Sequence, residues 1–217
     1  FPIFLVLLLA CSTLVSVGIG QTPWTWNMDS GPAVSKEGEE MHHPFAGGLS
    51  APQWSMIDMD WDGDRDLFSF DRDGHRTLVF ENDGSGGWIE RPDWSVGWPD
   101  MQHWVLLRDF DCDGLPDLFM GFQNSIHVWK NTSTGPGVPQ FTPYATPLMA
   151  SWDFGSGAQN LPVICLTIDK PAIFDVDEDG DLDVITFTET STTLYRFSGQ
   201  SECGLDMVCT NRCYGMV

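Results

Sequence analysis

One nine-residue pattern occurs three times and narrows the folds open to this chain. It places aspartates at 58, 60, 62 and 66 around Gly63, at 109, 111, 113 and 117 around Gly114, and at 175, 177, 179 and 183 around Gly180. The shared formula is DxDxDGxxD. Carboxylates at positions 1, 3, 5 and 9 supply hard oxygens. Position 7, held by Asp64, Leu115 and Asp181, can turn in its backbone carbonyl, and glycine at position 6 permits the sharp turn that gathers the set. Without a cation these carboxylates repel one another at close range. The expected cofactor is therefore calcium, about three ions. The candidate ligands are Asp58, Asp60, Asp62, Asp64 and Asp66 in the first loop, Asp109, Asp111, Asp113, Leu115 and Asp117 in the second, and Asp175, Asp177, Asp179, Asp181 and Asp183 in the third.

An EF-hand opens in the same way but needs a bidentate glutamate at position 12 and a helix on each side. Position 12 is Ser69, Met120 and Thr186. After each loop come apolar, β-branched or aromatic residues at strand spacing. The first loop leads into 67–70, a turn at 72–75 and a strand at 77–81; the second into 118–122 and 126–130; the third into 184–188 and 193–197. Met59, Phe110 and Val176 at position 2, with Leu67, Leu118 and Val184 at position 10, are expected to face a core. The loops start at 58, 109 and 175, intervals of 51 and 66 residues, which suits repeated β-meanders of propeller-blade size. The longer interval holds a Pro-, Gly- and Ser-rich stretch, 143–161, expected to be an insertion in a connecting loop. No long helical period is present, so the chain reads as all-β.

The formal charge of -21 disfavours nucleic acid and anionic membranes as partners, and the three loops hold 15 of the 31 acids. Residues 1–20 carry no charge and end in small residues, as a secretory signal lacking its basic start would; a membrane anchor is the alternative. With the signal removed, no stable membrane insertion is expected. Cys112, Cys165, Cys203, Cys209 and Cys213 lie beyond it, and an exported chain can oxidise them. The last three suggest a small disulfide-stapled segment over 201–217. The chain reads as a piece of a longer one.

Little here looks catalytic. His42 and His43 are adjacent without an obvious third ligand, His75 sits in a turn and His127 in a strand, and no nucleophile-bearing turn such as GxSxG is present. Ten tryptophans are many for this length. Trp88, Trp94, Trp98 and Trp104 could form a platform for sugar rings, or could fill the wedges between sheets. Asn131 opens a glycosylation sequon and is expected to serve as a turn.

DxDxDGxxD followed by Asp-Leu-Phe, Asp-Leu-Phe and Asp-Val-Ile resembles the FG-GAP or VCBS repeat, the blade unit of integrin α-chain-like β-propellers. The segment 45–52 is similar to the stretch that gives that repeat its name, and the resemblance covers 45–200. It implies an all-β fold: a β-propeller of four-stranded blades, about three of them present, with the calcium loop joining the first two strands of each blade. The expected layout is a signal at 1–20, a lead-in at 21–50, three blades at 51–200 and a Cys-rich segment at 201–217. The resemblance further implies a secreted or cell-surface protein of bacterial type, with type IX export among the routes. Its expected role is a binding or adhesion module for an extracellular protein or glycan, with structural calcium and no enzymatic activity. The alternative is a propeller part of an extracellular polysaccharide-degrading enzyme.

Overall fold

The computed structural model of the protein describes residues 34–40, 48–188 and 192–214. The signal at 1–20, His42 and His43, and the beginning of the 45–52 segment lie outside them. A minimal hairpin, β1 (Ser35–Lys36) with β2 (Glu39–Glu40), precedes the main body. There, β3 (Pro52–Ile57), β4 (Asp66–Asp71), β5 (Arg76–Asn82) and β6 (Trp88–Glu90) form an antiparallel four-stranded meander in chain order. After a single turn of 3-10 helix at Pro92–Ser95, the pattern repeats with β7 (Val105–Arg108), β8 (Asp117–Phe122), β9 (Ser125–Asn131) and β10 (Phe141–Ala145).

The third sheet has six strands. β13 (Ala172–Phe174), β14 (Asp183–Phe187), β15 (Leu194–Ser198) and β16 (Met207–Tyr214) form the same meander. A hairpin of β11 (Met149–Asp153) and β12 (Ala158–Pro162) joins its far side, β11 running parallel to β16. The protein is thus all-β with antiparallel sheets that fit propeller blades, and no α-helix occurs among the described residues. No helix there is long and apolar enough to cross a membrane.

Two sequence expectations are corrected. The stretch 143–161 is not a connecting loop: it completes β10 and builds β11 and most of β12. In β11 the buried positions alternate, with Ala150 and Trp152 inside, a period-2 signal short enough to be hidden by the surrounding Pro and Gly. The 201–217 segment is not stapled on itself either. Cys203 bonds to Cys112 across 91 residues, Cys165, Cys209 and Cys213 are free thiols, and Met207–Tyr214 supplies the fourth strand of the third meander. Cysteine spacing alone could not show which sulfurs the β15–β16 turn brings near the second loop.

Two cores fill the wedges between sheets. Ile57, Met59, Phe68 and Phe70 meet Trp94, Leu107, Leu118 and Met120 between the first and second. Trp104, Phe119, Ile126 and Val128 meet Ala150, Trp152, Ile173, Val184 and Phe197 between the second and third. The middle sheet is therefore buried on both faces, which explains the unbroken apolar run of β8. Gly121 in that strand is needed for close approach: a Cβ there would stand 2.3 Å from Nε1 of the fully buried Trp104. The first strands of successive sheets are tied directly. Val105 N–H donates to Gln53 Oε1 at 2.8 Å, Leu107 N–H to Ser55 Oγ at 3.0 Å, and Arg108 Nε to the Ile173 carbonyl at 2.8 Å.

Most of the core expectations hold. Met59, Phe110, Leu118 and Val184 are buried, whereas Val176 and Leu67 are half-buried. The tryptophans do not form a platform, because Trp94 and Trp104 are core residues and Trp98 packs on Phe68 and Phe141; only Trp88 of the four is well exposed. They fill wedges.

Candidate metal centres

All three acidic loops join the first and second strands of a meander: 58–65 links β3 to β4, 109–116 links β7 to β8, and 175–182 links β13 to β14. Their backbones repeat. Position 4 is left-handed in each, at Trp61 (φ 61°), Cys112 (φ 61°) and Glu178 (φ 62°), and the glycine at position 6 follows at φ 96°, 87° and 96°. Positive φ is uncommon for residues other than glycine, so the threefold recurrence marks one loop conformation. Inside it, the position-1 carboxylate accepts the position-6 N–H: Gly63 to Asp58 at 3.1 Å, Gly114 to Asp109 at 2.9 Å, Gly180 to Asp175 at 3.0 Å. The position-5 carboxylate accepts the position-7 N–H from Asp64, Leu115 and Asp181.

Position 9 has a second task that the motif does not announce. Asp66, Asp117 and Asp183 are 1%, 0% and 0% exposed. Each accepts the position-2 N–H on one oxygen, from Met59 (2.7 Å), Phe110 (3.0 Å) and Val176 (3.1 Å). The other oxygen accepts an N–H at the end of the third strand or just beyond it, from Asn82 (2.9 Å), Asn131 (2.7 Å) and Gly199 (3.2 Å). This aspartate latches the loop to the strand two places along. Asn82 and Asn131 extend the latch by donating their side-chain amides to the carbonyls of Arg65 and Pro116. Asn131 is 2% exposed and so engaged; it is the last residue of β9, paired with Phe141, and not the turn residue expected from the sequon.

The geometry brings together Asp58, Asp60 and Asp62 in the first loop, Asp109, Asp111 and Asp117 in the second, and Asp175, Asp177 and Asp183 in the third; within each set the ligand atoms lie within 4.8 Å of one another. Asp64, Asp66, Asp113, Leu115, Asp179 and Asp181 stand in the same loops but outside these tightest sets. Buried carboxylate oxygens without a hydrogen-bond partner remain in every loop: Oδ1 of Asp58, of Asp109 and Asp111, and of Asp181. Buried acceptors need partners, and oxygen-only donor sets suit a hard cation such as calcium. The residues fit such an ion. At position 12, Ser69, Met120 and Thr186 are buried in strands, so the loops are not EF-hands.

Proton affinities reflect the crowding. Burial, opposed by the two latch N–H groups and reinforced by Asp111 and Asp113, pushes Asp117 up to about 7. Burial and the neighbouring Asp179 push Asp181 up to about 6. Asp60 and Asp66 are also raised, chiefly by burial.

Residues 58–120 match the FG-GAP-like repeat. The FG-GAP-like match opens at the first residue of the first loop and runs through the second loop into β8; the third loop lies beyond it yet has the same conformation. No curated protein sequence matches the chain. Among solved structures, a lectin from Agrocybe aegerita, described as specifically recognising non-reducing terminal N-acetylglucosamine, is similar over 79% of this chain and 42% of its own, at 18% identity and a TM-score of 0.45. The chain spans less than half the length of that lectin.

Proposed function

We propose that the chain is a calcium-stabilised run of three propeller blades within an extracellular binding or adhesion module. In this reading residues 1–20 export it, and the aspartates of positions 1, 3, 5 and 9, with position 7, hold one structural calcium ion per blade. The observation that carries the proposal is the threefold loop: one conformation, at one place in three successive meanders, each with a buried, unpartnered carboxylate oxygen. The FG-GAP-like match over two of the loops supports it, and the Cys112–Cys203 disulfide suits an oxidising compartment. Bound calcium would neutralise the clustered carboxylates and cross-link each loop. The chain's own residues supply the rest, the position-9 latch fixing the loop to the third strand and the wedge cores holding blade to blade. The partner class is an extracellular protein or glycan, met by loops and exposed edges rather than by a catalytic pocket.

Thermal melts with calcium chloride and with EGTA test the metal. At free calcium roughly fifty times the dissociation constant each loaded site adds about 2 kcal/mol. Identical melting temperatures in the two buffers would remove calcium from the proposal. Screening the protein against immobilised glycans and extracellular-matrix proteins tests the binding role.

A further inference from the structure

The three loops differ in what faces them. In the second, Lys130 Nζ pairs with Asp111 and lies 3.1 Å from Asp113 Oδ2. In the third, Arg196 Nη2 lies 2.5 Å from Asp177 Oδ2 and 3.0 Å from Asp183 Oδ2. Both cations come from the third strand of the same meander, β9 or β15, at different register positions. In the first meander the place of Lys130 is filled by an acid, since Glu81 immediately precedes Asn82 as Lys130 immediately precedes Asn131, and both asparagines make the latch to a position-9 aspartate. The place of Arg196 is filled there by the buried Val79. Glu81 turns away to Arg91, at 2.5 Å. Arg91 is also engaged by Asp93 at 3.0 Å. Among the described residues no lysine or arginine forms an ion pair with Asp58, Asp60, Asp62, Asp64 or Asp66.

We infer that Lys130 and Arg196 are tethered counter-cations that compete with a divalent ion for the second and third loops, so that the first loop, which lacks one, is loaded from solution first and most tightly. This rests on the calcium reading above. Asp111 and Asp113 are positions 3 and 5 of the second loop and Asp177 and Asp183 are positions 3 and 9 of the third. An ion cannot take these oxygens without moving the ammonium or guanidinium from them. When ions are scarce, the tethered cations keep those loops partly neutralised. Neutralisation is incomplete, since Asp109 Oδ1, Asp111 Oδ1 and Asp181 Oδ1 remain unpartnered and Asp181 is 7% exposed. A divalent ion therefore still has oxygens to recruit once the side chain withdraws. Lys130 and Arg196 thus set the order of filling.

Calorimetric titration with calcium chloride, paired with thermal melts in EGTA, tests the assignment. In the wild type we expect one tight class of site, lost in the Asp60→Asn/Asp62→Asn variant, and two weaker ones. Lys130→Met, which keeps the aliphatic stem, is expected to tighten one weak site by up to about fivefold and to lower the ion-free melting temperature. Glu81→Lys is expected to do the reverse at the first loop. Unchanged affinities in both Lys130→Met and Glu81→Lys would overturn the tethered-cation assignment while leaving calcium binding intact. No binding in the wild type or in any variant would instead overturn the calcium reading on which it stands.

Discussion

The latch at position 9 can be separated from metal binding by comparing two aspartates of one loop. Asp117 is fully buried and accepts the Phe110 and Asn131 N–H groups at 3.0 and 2.7 Å. Asp117→Ala leaves both donors without their acceptor. Each orphaned buried N–H costs about 1–3 kcal/mol. Part is returned, because the variant no longer buries a carboxylate beside Asp111 and Asp113. The net loss expected without any ion is about 2–4 kcal/mol. Asp113 is exposed by comparison, and its Oδ1 accepts only the Leu115 N–H within the loop. Asp113→Ala is expected to lose under about 1 kcal/mol in the absence of ion and, on the proposed calcium reading, to weaken binding at the second loop while leaving the other two near normal. Urea denaturation in EGTA measures the first difference and calcium titration the second. If Asp117→Ala in EGTA unfolds at the wild-type urea midpoint, the latch contributes nothing and the argument from orphaned donors fails.

Other perturbations probe other parts of the fold. Cys112→Ser removes a link closing a loop of 91 residues, a loss of about 4–5 kcal/mol on the chain-entropy account; peptide mapping of the non-reduced protein checks the Cys112–Cys203 pair, and a melt of the variant checks the loss. Gly121→Ala forces a methyl against the Trp104 indole and is expected to destabilise by about 1–3 kcal/mol, read from the denaturation midpoint. Burial lowers the proton affinity of His127 and, with His75 and Arg72 nearby, that of His103. Because the folded state holds these imidazoles neutral, their contribution is present above the ordinary histidine range and is lost as pH falls through the lowered folded values. In a series of melts on calcium-free protein, His127→Gln should therefore flatten the acid-side loss, and an unaltered slope would contradict the burial argument.

Strand composition and loop chemistry made much of this readable in advance. The aspartates and glycines of each loop had to converge, and the apolar residues after position 9 had to be strands, because both follow from local geometry. Position 9 was legible only as a ligand. Its role as a latch depends on Asn82, Asn131 and Gly199, which lie 14 to 16 residues downstream and reach it only through the register of the meander. The β11–β12 hairpin was hidden for a similar reason: Trp152 is buried by packing on Phe197 and Tyr195, residues more than forty positions away. Lys130 and Arg196 are ordinary strand residues until the fold sets them over carboxylates. The disulfide also joins elements that only the assembled sheets bring together.

The left-handed residue at position 4 has one further consequence. Its backbone is fixed by the loop while its side chain points out of it, and the three copies carry an indole, a sulfur and a carboxylate there, all on exposed residues. That place behaves as a socket: chemistry can be exchanged in it without rebuilding the turn beneath. The second copy has used its socket to fasten a neighbouring turn covalently. Trp61 and Glu178 mark two more points where a cross-link, a label or a recognition group could be fitted to this scaffold.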